Sequence, residues 1–251
     1  MKYTYIILLI FLVLSCKNEQ KPNPLTADEI IGESIAVSGG ETFENSVIRF
    51  DFRDKYYVAR RHKGNFSLIR IFKDGKDSVF DLLSNSGFER SINNNRVRLE
   101  DSMAVRYSAS VNSVHYFSIL PYGLKDEAVN KSLVGEEKIK NKEYFKVKVT
   151  FNEEGGGEDF EDVFIYWINK DTFKVDYLAY SYNEDDGKGM RFRSAYNERY
   201  INSLRFVDYN NYKSEDSTAS LLELGKAFSS NQLKLLSKIE LNNIDVDLIN
   251  K

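Results

Sequence analysis

Side chains that could act as nucleophile or general base are scarce in this chain: two histidines, His62 and His115, and one cysteine, Cys16, among 251 residues. An imidazole is the usual proton shuttle at neutral pH, and a thiol the usual point of acyl attachment, so these three bound the available chemistry. His62 lies in the basic run Arg60-Arg61-His62-Lys63, which reads as a solvated turn. His115 stands beside Tyr116 and Phe117 in a segment of helical period, where a histidine is as a rule packed with one nitrogen satisfied. The alternative makes it the acid-base residue of a hydrolase. No HExxH-like spacing offers a zinc site, and no cofactor is expected. The acidic loops Glu153 to Asp162 and Asn183 to Gly189 read as turns, and the second lacks the order of a calcium loop, with Tyr182 and Glu184 where ligands would fall. Gly155-Gly156-Gly157 has no helix after it and cannot cradle a phosphate.

Cys16 is the more informative of the three. It follows Lys2 and an apolar run, Tyr5 to Leu14, that is too short to span a bilayer comfortably and has the form of a secretory signal. Val13-Leu14-Ser15-Cys16 resembles the lipobox of bacterial lipoproteins: an aliphatic residue three places before the cysteine, a small one just before it, and a thiol that is diacylated before cleavage. Leu14 departs from the pattern in being bulkier than the Ala or Ser most common there. The expected organisation is a signal peptide over residues 1–15, a lipidated cysteine with a polar tether over 16–25, and one domain over 26–251. Acyl chains on Cys16 would hold the protein at a membrane, each buried CH₂ contributing about 0.8 kcal/mol. The lone cysteine has no internal disulfide partner.

The elements that must position any site are strands. The 35 basic and 38 acidic residues are interleaved, which leaves no electrostatic footprint for nucleic acid. Thr26-Ala27-Asp28-Glu29 is a capping box that opens a helix ended by Gly39-Gly40. From Ser46 the period turns to two, and strands are predicted at 46–52, 56–61, 66–72, 78–83 and 96–99. Met103, Tyr107, Val111, Val114 and Phe117 recur at near-helical spacing up to Pro121, and a further short helix is expected within 124–134. In Tyr144 to Phe151, Phe145, Val147, Val149 and Phe151 alternate with Lys146, Lys148 and Thr150, so one face is expected to meet water. Glu161 to Tyr212 reads as two long hairpins with turns at 169–171, 185–187 and 202–203; 217–228 is helix-like, and 238–248 an edge strand. With no βαβ alternation and no repeat, the fold class is α+β: a single curved antiparallel sheet of nine or so strands, a half-open barrel with a few helices on its concave side.

The lipobox, the capped helix ending in Gly-Gly, the meander, the helix closed by Leu120-Pro121 and the hairpin YWINKDTFKVDYLAY together resemble the lipoprotein carrier and receptor fold of Gram-negative envelopes, the LolA/LolB-like half-barrel. More closely, the chain resembles a family of uncharacterised envelope lipoproteins of that fold. The resemblance implies a hollow able to hold an acyl chain or another apolar ligand, and an outer-membrane, periplasmic or surface-facing location. Aromatic residues of both parities, Phe164, Trp167, Tyr177 and Phe192, together with His115, are the expected lining. Three functions fit: a non-enzymatic binder of a lipid or envelope partner, a hydrolase of envelope lipid or glycan using a carboxylate or His115, and an interaction module whose hollow is plugged by its own helices.

Overall fold

The computed structural model describes residues 24–157, 160–184, 187–216 and 218–249; Cys16, the signal segment and most of the tether lie outside the described residues. Thr26 caps α1 (Ala27–Val37): its hydroxyl accepts the Glu29 backbone N–H at 3.2 Å, and Glu29 Oε2 accepts that of Thr26 at 2.8 Å, the reciprocal box read from the sequence. α1 buries Ile30, Ile31 and Ile35. It stops at Ser38, and Gly39, at φ +126°, lets the helix end approach Leu204 so closely that a Cβ would lie 2.7 Å from that side chain.

A meander follows: β1 (Ser46–Phe52), β2 (Lys55–His62), β3 (Asn65–Asp74), β4 (Asp77–Ser84), β5 (Gly87–Ile92) and β6 (Asn95–Val97). After α2 (Asp101–Ser118) comes a second one: β7 (Val129–Ile139), β8 (Lys142–Phe151), β9 (Val163–Asn169), β10 (Val175–Glu184), β11 (Gly187–Ile201) and β12 (Leu204–Ser214). α3 (Leu224–Ser229), β13 (Leu233–Ile239) and β14 (Asn242–Leu248) complete it. Lys63-Gly64, Asn93-Asn94, Lys140-Asn141 and Asn202-Ser203 each place two consecutive residues at positive φ, the backbone of a two-residue hairpin whose twist matches its strands.

All pairing is antiparallel, in two seven-stranded ladders ordered β14-β1-β2-β3-β4-β5-β6 and β13-β12-β11-β10-β9-β8-β7. β6 and β7 are edges that do not pair with each other, so the arrangement stays half-open. The α+β class and antiparallel architecture are those expected, with the sheet divided in two halves that the consecutive strands β13 and β14 bridge. Asp208 pins that corner: its carboxylate accepts the Leu241 backbone N–H at 3.0 Å and Arg199 Nη2 at 2.9 Å, while Arg199 also donates to Leu241 O.

Several local expectations change. Fourteen strands stand among the described residues rather than nine or so. β5 was hidden by its polar letters, because Glu89 and Arg90 face partners across the sheet rather than forming a loop. The short helix expected within 124–134 is confined to the turn Tyr122–Lys125, and β7 begins at Val129, where ladder bonds to β8 override local helix propensity. The segment 238–248, read as one edge strand, is the end of β13 and all of β14, on different sheets. The outer face of β8 is not uniformly wet, for Lys146 is buried and donates to Leu222 O at 3.1 Å in the helical turn before α3.

α2 rests on the first sheet through a cross-strand row of three charges. Arg70, Asp81 and Arg90 are register partners on β3, β4 and β5, and the fully buried Asp81 carboxylate accepts from both guanidinium groups at 2.6–2.9 Å. Arg70 Nη1 donates to Ser110 Oγ of α2 at 2.7 Å, and Arg90 lies 3.5 Å from the ring centre of Tyr107 on the same helix. The sheet thereby fixes the height at which α2 presents its next turns to the interior.

Candidate functional site: an aromatic cavity beside α2

Alternation along the second sheet decides what faces the interior. On β9, Phe164, Tyr166 and Ile168 point to the side of α1 and α2, while Ile165 and Trp167 point away. On β10, Leu178 and Tyr180 share the inner face, and Tyr177 and Ala179 the outer. α2 brings Tyr116 and Phe117 over this inner face: Phe117 stands 6.1 Å from Phe164 and 5.3 Å from Tyr180, ring centre to ring centre, and Phe164 stacks on its register partner Tyr180 at 5.3 Å.

The packing does not close. Between α2, the inner face of β9 to β12 and the β13–β14 corner lies a cavity of about 580 Å³, within the range of ligand pockets. Its apolar wall includes Val114, Tyr116, Phe117, Phe151, Phe164, Tyr180, Val207, Tyr209 and Ile239. Polar side chains interrupt that wall, among them Asn112, Ser113 and Ser118 of α2 and Ser237 of β13. Glu161, exposed, and Asp162, half-buried, belong to it just before β9, and Arg53 and Phe52 come from the first sheet. Arg193 and Asn211, on β11 and β12, belong to its wall. Arg193 is only 8% exposed; its Nη2 donates to Tyr180 Oη at 2.9 Å, and its guanidinium lies 3.8 Å from the ring centre of Phe117. Burial pushes the phenol pKa values of Tyr116 and Tyr209 up, so both remain protonated hydrogen-bonding groups at neutral pH.

The five residues expected to line a hollow are thus divided. Phe164 lines the cavity. Trp167, Tyr177 and Phe192 come together on the opposite face of the sheet, where Leu224 and Phe228 of α3 cover them, and Phe228 stacks on Phe192 at 4.9 Å. His115 points to the first sheet, edge-on to Phe50 and Tyr57, with Nε2 3.1 Å from Ile69 O. Burial, reinforced by Arg61 and Arg70, lowers its pKa to about 3, so the imidazole is neutral, and it is absent from the cavity wall. Aromatic residues of both parities therefore mean a sheet covered on both faces. Parity alone does not say which face holds the void. Arg193 was not singled out from sequence; the available signal was an arginine opposite Phe192 in the strand period of a central strand, where neither face is free.

Among the described residues no three His, Cys, Asp or Glu side chains gather to hold a metal ion, and no helix is long and apolar enough to cross a membrane.

Among solved structures, the chain is similar to a LolA superfamily protein, NE2245, from Nitrosomonas europaea, at 12% identity and a TM-score of 0.48, over 91% of this chain and 95% of that one. It is also similar to a DUF1329 family protein from Desulfovibrio piger, at 10% identity and a TM-score of 0.42, over 88% of this chain and 93% of that one. No curated protein matches the chain. The profile described as "Family of unknown function (DUF6503)" matches residues 2–241, nearly the whole chain, and the protein belongs to that family.

Proposed function

We propose that the protein is an envelope lipoprotein, anchored through acylated Cys16, that binds an apolar ligand such as a lipid or acyl chain in the cavity beside α2. The observation that carries this is the cavity itself: about 580 Å³ left between Phe117, Phe164, Tyr180 and Val207, where close packing would otherwise be expected. The aromatic part of its wall, Tyr116, Phe117, Phe164 and Tyr180, forfeits dispersion contacts there that a bound chain would restore. A module whose helices merely plug the hollow would leave no such space. A hydrolase centred on His115 would need that imidazole at the cavity, and it is packed elsewhere.

The domain organisation follows from the same proposal: residues 1–15 are removed, 16–25 tether, and the remainder faces water. Native mass spectrometry of the full chain released from membranes tests the binding: a co-purifying lipid mass that leaves on activation supports it, and a clean apo-protein that also takes up no added lipid contradicts it. Radiolabelled palmitate tests the anchor, with incorporation expected in the wild type and lost in Cys16→Ser.

A further inference from the structure

Arg193 and Asn211 are directly opposed register partners on β11 and β12, side by side on the inner face. Such pairs hold their Cβ atoms about 4.5–5.5 Å apart, so one small group can meet both. Each carries a buried polar atom without a hydrogen-bond partner: Arg193 Nε and Asn211 Oδ1. The Asn211 amide spends its other end on Ser237 Oγ at 3.3 Å, and turning the amide over only exchanges which of its two atoms is left unmatched. Arg193 spends one of its N–H groups, on Tyr180 Oη, and forms no ion pair among the described residues. Among the other buried guanidinium groups, Arg70 and Arg90 share Asp81 and Arg205 meets Glu198, whereas Arg61, like Arg193, keeps a buried nitrogen without a partner.

A guanidinium taken out of water without a carboxylate is costly, and a fork of N–H groups is the geometry that receives a carboxylate or phosphate. Here the fork lies against Phe117, beside the apolar stretch of wall formed by Phe164, Tyr180 and Val207. We propose that the ligand is an anionic amphiphile, a long-chain carboxylate of the fatty-acid class, whose head is held by Arg193 and Asn211 while its chain lies along the aromatic wall. The proposal rests on the cavity being a ligand site and adds the charge of the ligand. The acids of the cavity, Glu161 and Asp162, are the more exposed groups, so the deep charge is positive.

The test uses the full chain in nanodiscs, with empty nanodiscs as the blank, and displacement of a dansylated undecanoic acid by palmitate or by hexadecanol, which has the same chain and no charge. A charge-assisted hydrogen bond contributes enough that palmitate is expected to compete about tenfold or more better than hexadecanol. Arg193→Met is expected to erase that preference while keeping hexadecanol binding, and Arg193→Lys to restore part of it. Equal competition by the two in the wild type overturns the headgroup assignment and leaves the apolar site standing. Failure of both to bind removes the site itself. The wild-type comparison decides the question even where a variant fails to fold.

Discussion

Trp167 donates its indole N–H to Glu137 Oε2 at 3.0 Å, and the same oxygen receives Lys146 Nζ at 2.7 Å, so the chain's one tryptophan is anchored by a buried ion pair on the outer face of the second sheet. α3 closes over this group with Gly225, where a Cβ would stand 2.6 Å from Glu137 Oε1 and 2.9 Å from Trp167 Nε1. Neither neighbour is free to swing aside, since Glu137 is held by two donors. Gly225→Ala is therefore expected to destabilise by about 1–3 kcal/mol despite alanine's better helix propensity. Urea unfolding followed by Trp167 fluorescence measures it, and an unchanged or raised midpoint would show that α3 can shift.

Asp81 sits between two arginines with no exposed surface. Asp81→Ala leaves two buried guanidinium groups facing each other, and loss of one partner of such a group costs about 3–5 kcal/mol. Because Arg70 and Arg90 also hold Ser110 and Tyr107, α2 should lose its seat, and hydrogen exchange in Asp101–Ser118 should rise before that of β9 and β10. Equal acceleration everywhere would instead indicate a uniform loss of global stability.

Acidification should act through His115. Its folded pKa of about 3 lies below the ordinary 6.5, because burial, Arg61 and Arg70 all disfavour the imidazolium. The unfolded chain therefore binds a proton below pH 6.5 that the folded chain refuses until about pH 3. The stabilisation is present above 6.5 and is lost as pH falls, by up to about 1.4 kcal/mol per pH unit from this group. His115→Phe should flatten the dependence of the urea midpoint on pH between 7 and 4.5, whatever its effect at pH 7. Identical slopes for the two proteins would mean that the carboxylates carry the whole acid response.

Ser113 lines the cavity from α2 and is half-buried. Ser113→Trp should place an indole in the void and weaken binding of the dansylated probe by about tenfold or more, as steric exclusion of a matched ligand does. The unfolding midpoint should hold, because the residue's hydroxyl bonds only to Ser110 O of its own helix. Unaltered affinity in a stable Ser113→Trp protein would place the probe elsewhere.

Local patterns account for much of this fold. The Thr26 capping box, the alternation from Phe145 to Phe151, the Asn202-Ser203 turn and the helix ending before Pro121 each follow from the preferences of a few adjacent residues, and each stands where those preferences put it. Strands rich in charge, such as β5, were illegible for the converse reason: Arg90 belongs in a sheet only because Asp81, on the neighbouring strand, completes it.

The candidate site divides along the same line. The sequence by itself determined that aromatic residues of both parities crowd β9 to β11, and with them an interior rich in rings. Tertiary structure alone decided that α3 fills the face of Trp167, Tyr177 and Phe192, that α2 leaves space on the other, and that Arg193 meets Asn211 there. Alternation along a strand is a property of one backbone and is written in neighbouring letters. Which face stays unfilled depends on where distant helices come to rest, and that is settled by contacts between residues far apart in the chain.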